Sequence, residues 1–311
     1  MLFGLDCADV ESGKKTNWAA AKAQGPISFA ILRASYGTTP DVSFQASWAA
    51  SKAVGLTRGA YLFLRFPRKG AAAPPDPDVQ AAAFCKIVGA LGAGDLPATI
   101  DLEFPGNGIA DTGMTARQAL DWMRAAWKIV AATYQVAPII YTSARVWHED
   151  LADIAAADLA DSPLWLARYF YASNTTAVRD AAALGSGHMD PPTPPPWGDA
   201  TNWWIHQYQG DAIGMPGFTA TVDMNRFNTM LKGAMGDRVR WVQRKLRAAE
   251  TGVFDVALNA KLVAFQRAQG LAPDGIIGPR TFAALCWAKP TAARALATPS
   301  PGARTVAPAP R

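Results

Sequence analysis

Eight short apolar runs, rich in β-branched residues, are spaced through the first 230 residues and limit the possible folds more than any other feature. They are Leu2–Asp6, Phe29–Ser35, Gly59–Phe63, Ala98–Glu103, Pro138–Thr142, Leu164–Ala167, Trp203–Tyr208 and Thr221–Asp223, each with the length and composition of a strand. Between them, Ser43–Val54, Asp78–Leu91 and Thr115–Tyr134 read as Ala-rich helices, each opened by a residue able to cap it. Strands that alternate with helices imply a parallel sheet, and eight of them imply an α/β barrel closed on itself. The later connections look irregular. Gly185–Pro196 holds prolines at 191, 192, 194, 195 and 196, which excludes helix and central strand and predicts a surface loop.

In a parallel barrel the working residues sit at the carboxyl ends of the strands. That rule gathers Asp6 from the first strand, Asp101 and Glu103 from the fourth and Asp223 from the eighth at one mouth. Side chains alternate along a strand, so Asp101 and Glu103 share a face with Cα atoms about 6.6 Å apart, while Ile100, Leu102 and Phe104 take the other. Two like charges at that spacing raise one pKa, leaving one proton donor and one anion. Cleavage of a glycosidic bond asks for such a pair. Taken alone, the tripeptide equally fits a solvated edge or a helix cap. Tyr61, Tyr141, Tyr169 and Tyr208 lie near other strand ends, where aromatic faces and hydroxyls suit sugar rings.

About half of the 311 residues are apolar, enough for one large core or two unequal ones. No apolar window of membrane-spanning length exists. The three cysteines, Cys7, Cys85 and Cys286, are odd in number and lack metal-ligand spacing, so reduced thiols, no metal and no cofactor are expected. Charge is unevenly placed. Residues 1–235 carry 18 basic against 21 acidic side chains and residues 236–311 carry 12 against 4. The basic end points to an anionic partner: nucleic acid, a membrane surface or a wall polymer.

Several of these segments form an ordered series. Gly4-Leu5-Asp6, Phe29 to Thr38, Gly59-Ala60-Tyr61, Asp101-Leu102-Glu103, Ile139 to Thr142, Leu164 to Ala167, Gln207-Tyr208 and Val222 to Phe227 resemble, in order, the motifs of glycoside hydrolase family 25. The resemblance covers about 230 residues. It implies an N-acetylmuramidase, or lysozyme, that cuts the β-1,4 bond between N-acetylmuramic acid and N-acetylglucosamine. Glu103 would be the general acid and Asp101 would orient the substrate's acetamido group or stabilise charge, with Asp6 and Asp223 in the same cleft. Arg33, Tyr61 and Tyr141 would bind substrate, and the strand-end tyrosines Tyr169 and Tyr208 are expected to join them. Leu62, His206 and Tyr36 depart from the family pattern and are expected at the binding rim.

After a junction at Lys232–Gly236, Arg238–Ala249 and Val256–Gln269 place apolar residues on one helical face, and a third short helix follows Gly278-Pro279. Val242 to Leu246, Ala264 to Gln266 and Asp274 to Phe282 resemble the three-helix peptidoglycan-binding domain. Gly252 to Asp255 stray from that family's Asp-Gly-x-Phe-Gly, which predicts a rebuilt first loop. The expected division is a catalytic barrel over 1–232, a binding domain over 236–287 and a disordered Ala/Pro/Arg tail over 288–311. Bacterial peptidoglycan is then both substrate and anchor, with no nucleic-acid partner, no membrane insertion and a monomeric chain. The first strand begins at once, without a cleavable leader, so the expected product is a phage endolysin made in the host cytoplasm and acting on the wall. A non-catalytic glycan binder and a chitin-cleaving glycosidase are the alternatives.

Overall fold

A computed structural model of the chain describes residues 2–8, 16–180, 184, 190–198 and 201–288. Residues 185–189 of the proline-rich loop and 289–311 of the expected tail lie outside the described residues. Among the described residues nine strands form, in order β1 (Leu2–Cys7), β2 (Ile27–Tyr36), β3 (Thr39–Pro40), β4 (Thr57–Phe63), β5 (Thr99–Asp101), β6 (Ile139–Ser143), β7 (Leu164–Ala167), β8 (Ile205–Ala212) and β9 (Val222–Phe227). Each of the eight expected runs is a strand, and β3 is a two-residue addition to the edge of β2. The sheet closes through pairing of β1 with both β2 and β9, giving an eight-stranded barrel.

The barrel departs from all-parallel order at its last strand. β9 runs antiparallel to both β8 and β1, because a short connection after β8 returns the chain as a hairpin rather than through a crossover helix. Asp223 therefore stands at the start of its strand, not at its end. Reversal brings that start to the mouth where the other strands finish, directly opposite Asp6 in register.

Helices α1 (Trp18–Gln24), α2 (Phe44–Ala53), α3 (Pro77–Val88) and α4 (Ala116–Tyr134) cover the outside. Thr115 caps α4 with a full capping box to Gln118, so the helix starts where the sequence predicts. Alternation divides the strand residues cleanly. Leu5, Ile100, Leu102 and Phe104 turn outward into the helix layer, whereas Phe29, Ile31, Tyr61, Tyr141 and Trp165 fill the lumen. Gly4 makes that filling possible, since a Cβ there would meet the Phe29 ring at 2.5 Å.

The lumen column continues downward into the C-terminal helices α5 (Asp237–Lys245), α6 (Val256–Ala268) and α7 (Pro279–Trp287). Trp204 and Phe227, at the lower ends of β8 and β9, meet Phe282 with ring centroids 4.4 and 5.6 Å away, and Trp241 packs on Trp204 at 5.2 Å. The junction is woven into this module: Met230 exchanges backbone hydrogen bonds with Ile277, and Met235 pairs with Val253. The first inter-helix loop is not rebuilt. Gln243 holds Gly252 N and Val253 O as Gln266 holds Gly275 N and Ile276 O, and Thr251 Oγ1 supplies the acceptor that Asp274 Oδ1 supplies in the second copy.

Candidate active site

Glu103 follows the end of β5, and the strand stops two residues earlier than expected, at Asp101. Leu102 N still donates to Tyr141 O at 2.9 Å, which keeps the alternation and turns both carboxylates into the mouth. Asp6, Asp101, Glu103 and Asp223 interact electrostatically across it. Burial is the main cause raising all four carboxyls above their ordinary range; for Asp6 the Asp223 charge follows, and for Asp101 the Glu103 charge. Asp223 rises to about 6 despite accepting Asp211 N at 2.7 Å. Four such groups cannot all ionise together and hold protons as a set.

Their surroundings differ. Asp6 is buried, and its Oδ1 accepts from Gln207 Nε2 at 2.8 Å and Asn225 Nδ2 at 2.6 Å. It supports the mouth from below. Asp101 is also buried, but its Oδ1 has no partner, an unusual state for an enclosed carboxyl. Arg33 draws the Asp101 pKa down and is itself held by Asp41 at 3.1 Å. Glu103 lines two depressions, of about 610 and 230 Å³, that share it and Phe63. It thus stands where a groove crosses the mouth.

Tyr61 and Tyr141 lie in the lumen wall with their ring edges on Trp165, at 6.2 and 4.5 Å. Tyr141 and Tyr169 both donate their hydroxyl protons to Gln207 Oε1, at 2.7 and 2.8 Å. Tyr169 is half exposed and lies on Gly210, where a Cβ would come within 3.1 Å of its ring. Tyr208 does not join them. Because Gln207 points into the lumen, Tyr208 points out, packed on Phe3 and Tyr171 with its hydroxyl on Val178 O; its expected role in substrate binding is withdrawn.

Two of the three departures from the family pattern also leave the rim. Leu62 is enclosed in the outer core, and His206 is buried, accepting from Arg226 Nε at 2.9 Å and bonded to Arg168 O. Burial pushes the His206 pKa down to about 3, so it stays neutral. Tyr36 alone is at the mouth, exposed beside Phe63.

Gln207, Asn225 and Trp165 were not among the expected site residues, yet they organise it. Trp165 Nε1 donates to Asn225 Oδ1 at 2.7 Å, and the Asn225 amide holds Asp6. The signal was the inward parity of β7, β8 and β9. Among the described residues no group of three or more His, Cys, Asp or Glu is placed to hold a metal ion.

A closed barrel ending in a mutually coupled carboxylate cluster, with aromatic walls and a groove across it, defines a barrel of the glycosidase class. The family model for glycosyl hydrolases family 25 matches residues 8–216, two thirds of the chain, and the chain belongs to that family. The match stops short of both Asp6 and Asp223, whose place in the site comes from geometry. A second model, "Putative peptidoglycan binding domain", matches residues 235–285. Lysozyme M1 of Streptomyces globisporus is 27% identical over 215 residues, 68% of this chain and 63% of that protein. An uncharacterized protein, YegX of Escherichia coli O157:H7, is 28% identical over 203 residues, 65% and 60% of the two chains. The chain thus spans about 60% of the length of these curated relatives. The bacterial lysozyme of Streptomyces coelicolor shares the fold with a TM-score of 0.56 at 24% identity, covering 78% of this chain and 95% of its own.

Proposed function

We propose that the chain is a peptidoglycan hydrolase, an N-acetylmuramidase that cuts the β-1,4 bond between N-acetylmuramic acid and N-acetylglucosamine. The observation that carries the reading is Glu103, its pKa raised by burial and by Asp223, standing where the two arms of the groove meet. A carboxyl kept protonated there can protonate the bridging oxygen of a glycan lying along both arms. Asp101, two residues before it, offers an unpaired oxygen to the N–H of the acetamido group of the same sugar. The Asp101 oxygen that accepts this N–H stabilises the positive charge that builds on the acetamido group as its oxygen closes onto the anomeric carbon and the protonated leaving oxygen departs. Glu103, now ionised, takes a proton from the water that opens the intermediate. Tyr141, beside Glu103, can turn its hydroxyl proton from Gln207 Oε1 to the carboxylate left after proton transfer.

Peptidoglycan as the polymer is supported by family membership and by the domain match over 235–285. A role as an endolysin in lysis of a phage host, acting at the wall, completes the proposal. Reducing-end analysis of digested peptidoglycan tests the bond: N-acetylmuramic acid at the new ends supports it, whereas N-acetylglucosamine at those ends, or cleavage of chitin alone, defeats it. Lysis by Glu103→Gln at the wild-type rate would remove the assigned acid. Induction inside a bacterial host tests the role, with lysis expected only once the inner membrane is permeabilised.

A further inference from the structure

At the pole opposite the mouth, a cavity of about 300 Å³ opens on the seam between barrel and helical module. Lys22, Ser28 and Thr57 line it from the barrel; Asp274, Arg280 and Thr281 line it from the module. Two cations share it. Lys22 Nζ gives one bond to Ile27 O at 3.0 Å and Arg280 gives one to Gly55 O at 2.6 Å. An ammonium has three donors and a guanidinium five, and neither side chain has an ion-pair partner among the described residues. Partial desolvation and the Arg280 charge both push the Lys22 pKa down.

Two further features lie on the same wall. Thr57 is 2% exposed, and its hydroxyl makes no hydrogen bond; buried hydroxyls are ordinarily paired. Helix α7 begins here with no side chain capping it, and a helix start favours an anion. The one carboxylate on the wall, Asp274, has its Oδ1 committed to Gln266 Nε2 and Ile276 N, both at 2.9 Å.

We propose that this seam is a binding site for a free carboxylate on the peptide stem of the wall polymer, composite because barrel and module each supply one cation. The inference rests on peptidoglycan as the substrate. A neutral glycan brings no charge to place between Lys22 and Arg280. A stem brings carboxylates together with small apolar side chains, and Leu2, Leu271 and Ile276 form the apolar part of the wall. A wall phosphate polymer is the other source of anionic oxygen.

The test is calorimetric titration of the full chain carrying Glu103→Gln with three probes: a soluble stem peptide with free carboxylates, the same peptide amidated, and polyglycerol phosphate. The free peptide should bind, at least tenfold more tightly than the amidated one and more tightly than the phosphate polymer, with affinity falling as salt rises. Lys22→Gln with Arg280→Gln should weaken it at least tenfold; Lys22→Gln alone, at an exposed side chain, should weaken it severalfold if the double variant does not fold. Thr57→Val should weaken it severalfold with an unchanged melting temperature. Equal binding of the amidated peptide, stronger binding of the phosphate polymer, unaltered affinity in the variants, or no binding overturns the proposal. Digestion of peptidoglycan by the chain with Glu103 intact is scored separately: stem binding without digestion sinks the hydrolase reading and leaves the seam site standing, and digestion without stem binding does the reverse.

Discussion

The two poles of the barrel are built on opposite principles. At the mouth, polar groups are enclosed without full satisfaction: four carboxyls crowd together and Asp101 Oδ1 goes unpaired. At the lower pole, Trp204, Phe227, Trp241 and Phe282 stack into one column shared by barrel and helices. The mouth holds the chain in a chemically poised and energetically costly state, and the lower pole supplies apolar burial that offsets it. Reactivity and stability are thus separated along one axis, and substitutions at each end should read out differently.

The largest expected effect is at the mouth. Glu103→Gln should lower the rate of peptidoglycan hydrolysis by about 10³-fold, the scale of lost general acid catalysis, while thermal melting stays level or rises because one ionisable group leaves a crowded, buried carboxyl cluster. A rate near wild type would dissolve the contrast. Next comes the lower pole, where Phe282→Ala removes a fully buried ring between Trp204 and Trp241. The cost should be about 3–5 kcal/mol, seen in denaturant titration as a single transition for barrel and helices together. Two separate transitions would show that the column does not couple them.

The pH dependence sharpens the comparison. Asp223 has a folded pKa of about 6 against an ordinary 3.8, so between these values the native state binds more protons than the unfolded one. Stability then falls as pH rises through this window and is greatest below it. Allowing for partial solvent screening, the effect should be about 1 kcal/mol, or roughly 2–4 °C in melting temperature. Asp223→Asn should flatten this part of the profile, and an unchanged slope would place the titration elsewhere. Smallest of all, Tyr169→Phe deletes one of two hydroxyls on Gln207 Oε1 and should cost about two- to fivefold in rate, from one hydrogen bond, with melting unchanged.

Strand parity carried most of what the sequence made legible. The alternation around Asp101 and Glu103 put both carboxylates in the lumen and Ile100, Leu102 and Phe104 outside, as found. The same rule, applied to Gln207 and Tyr208, would have chosen the amide over the phenol; proximity to a strand end hid this, since neighbours there face opposite ways. Asp223 reached the expected mouth for another reason, because strand direction is set by the connection before it and not by the strand's own residues. Local pattern also could not show that the helices share the barrel's core. Trp204, Trp241 and Phe282 read as three separate apolar positions until the fold stacks them.

The helical module covers the floor of the barrel, so the groove opens on the side turned away from it. None of the residues lining that groove belongs to the module, so a polymer reaching the mouth from solvent meets the barrel alone.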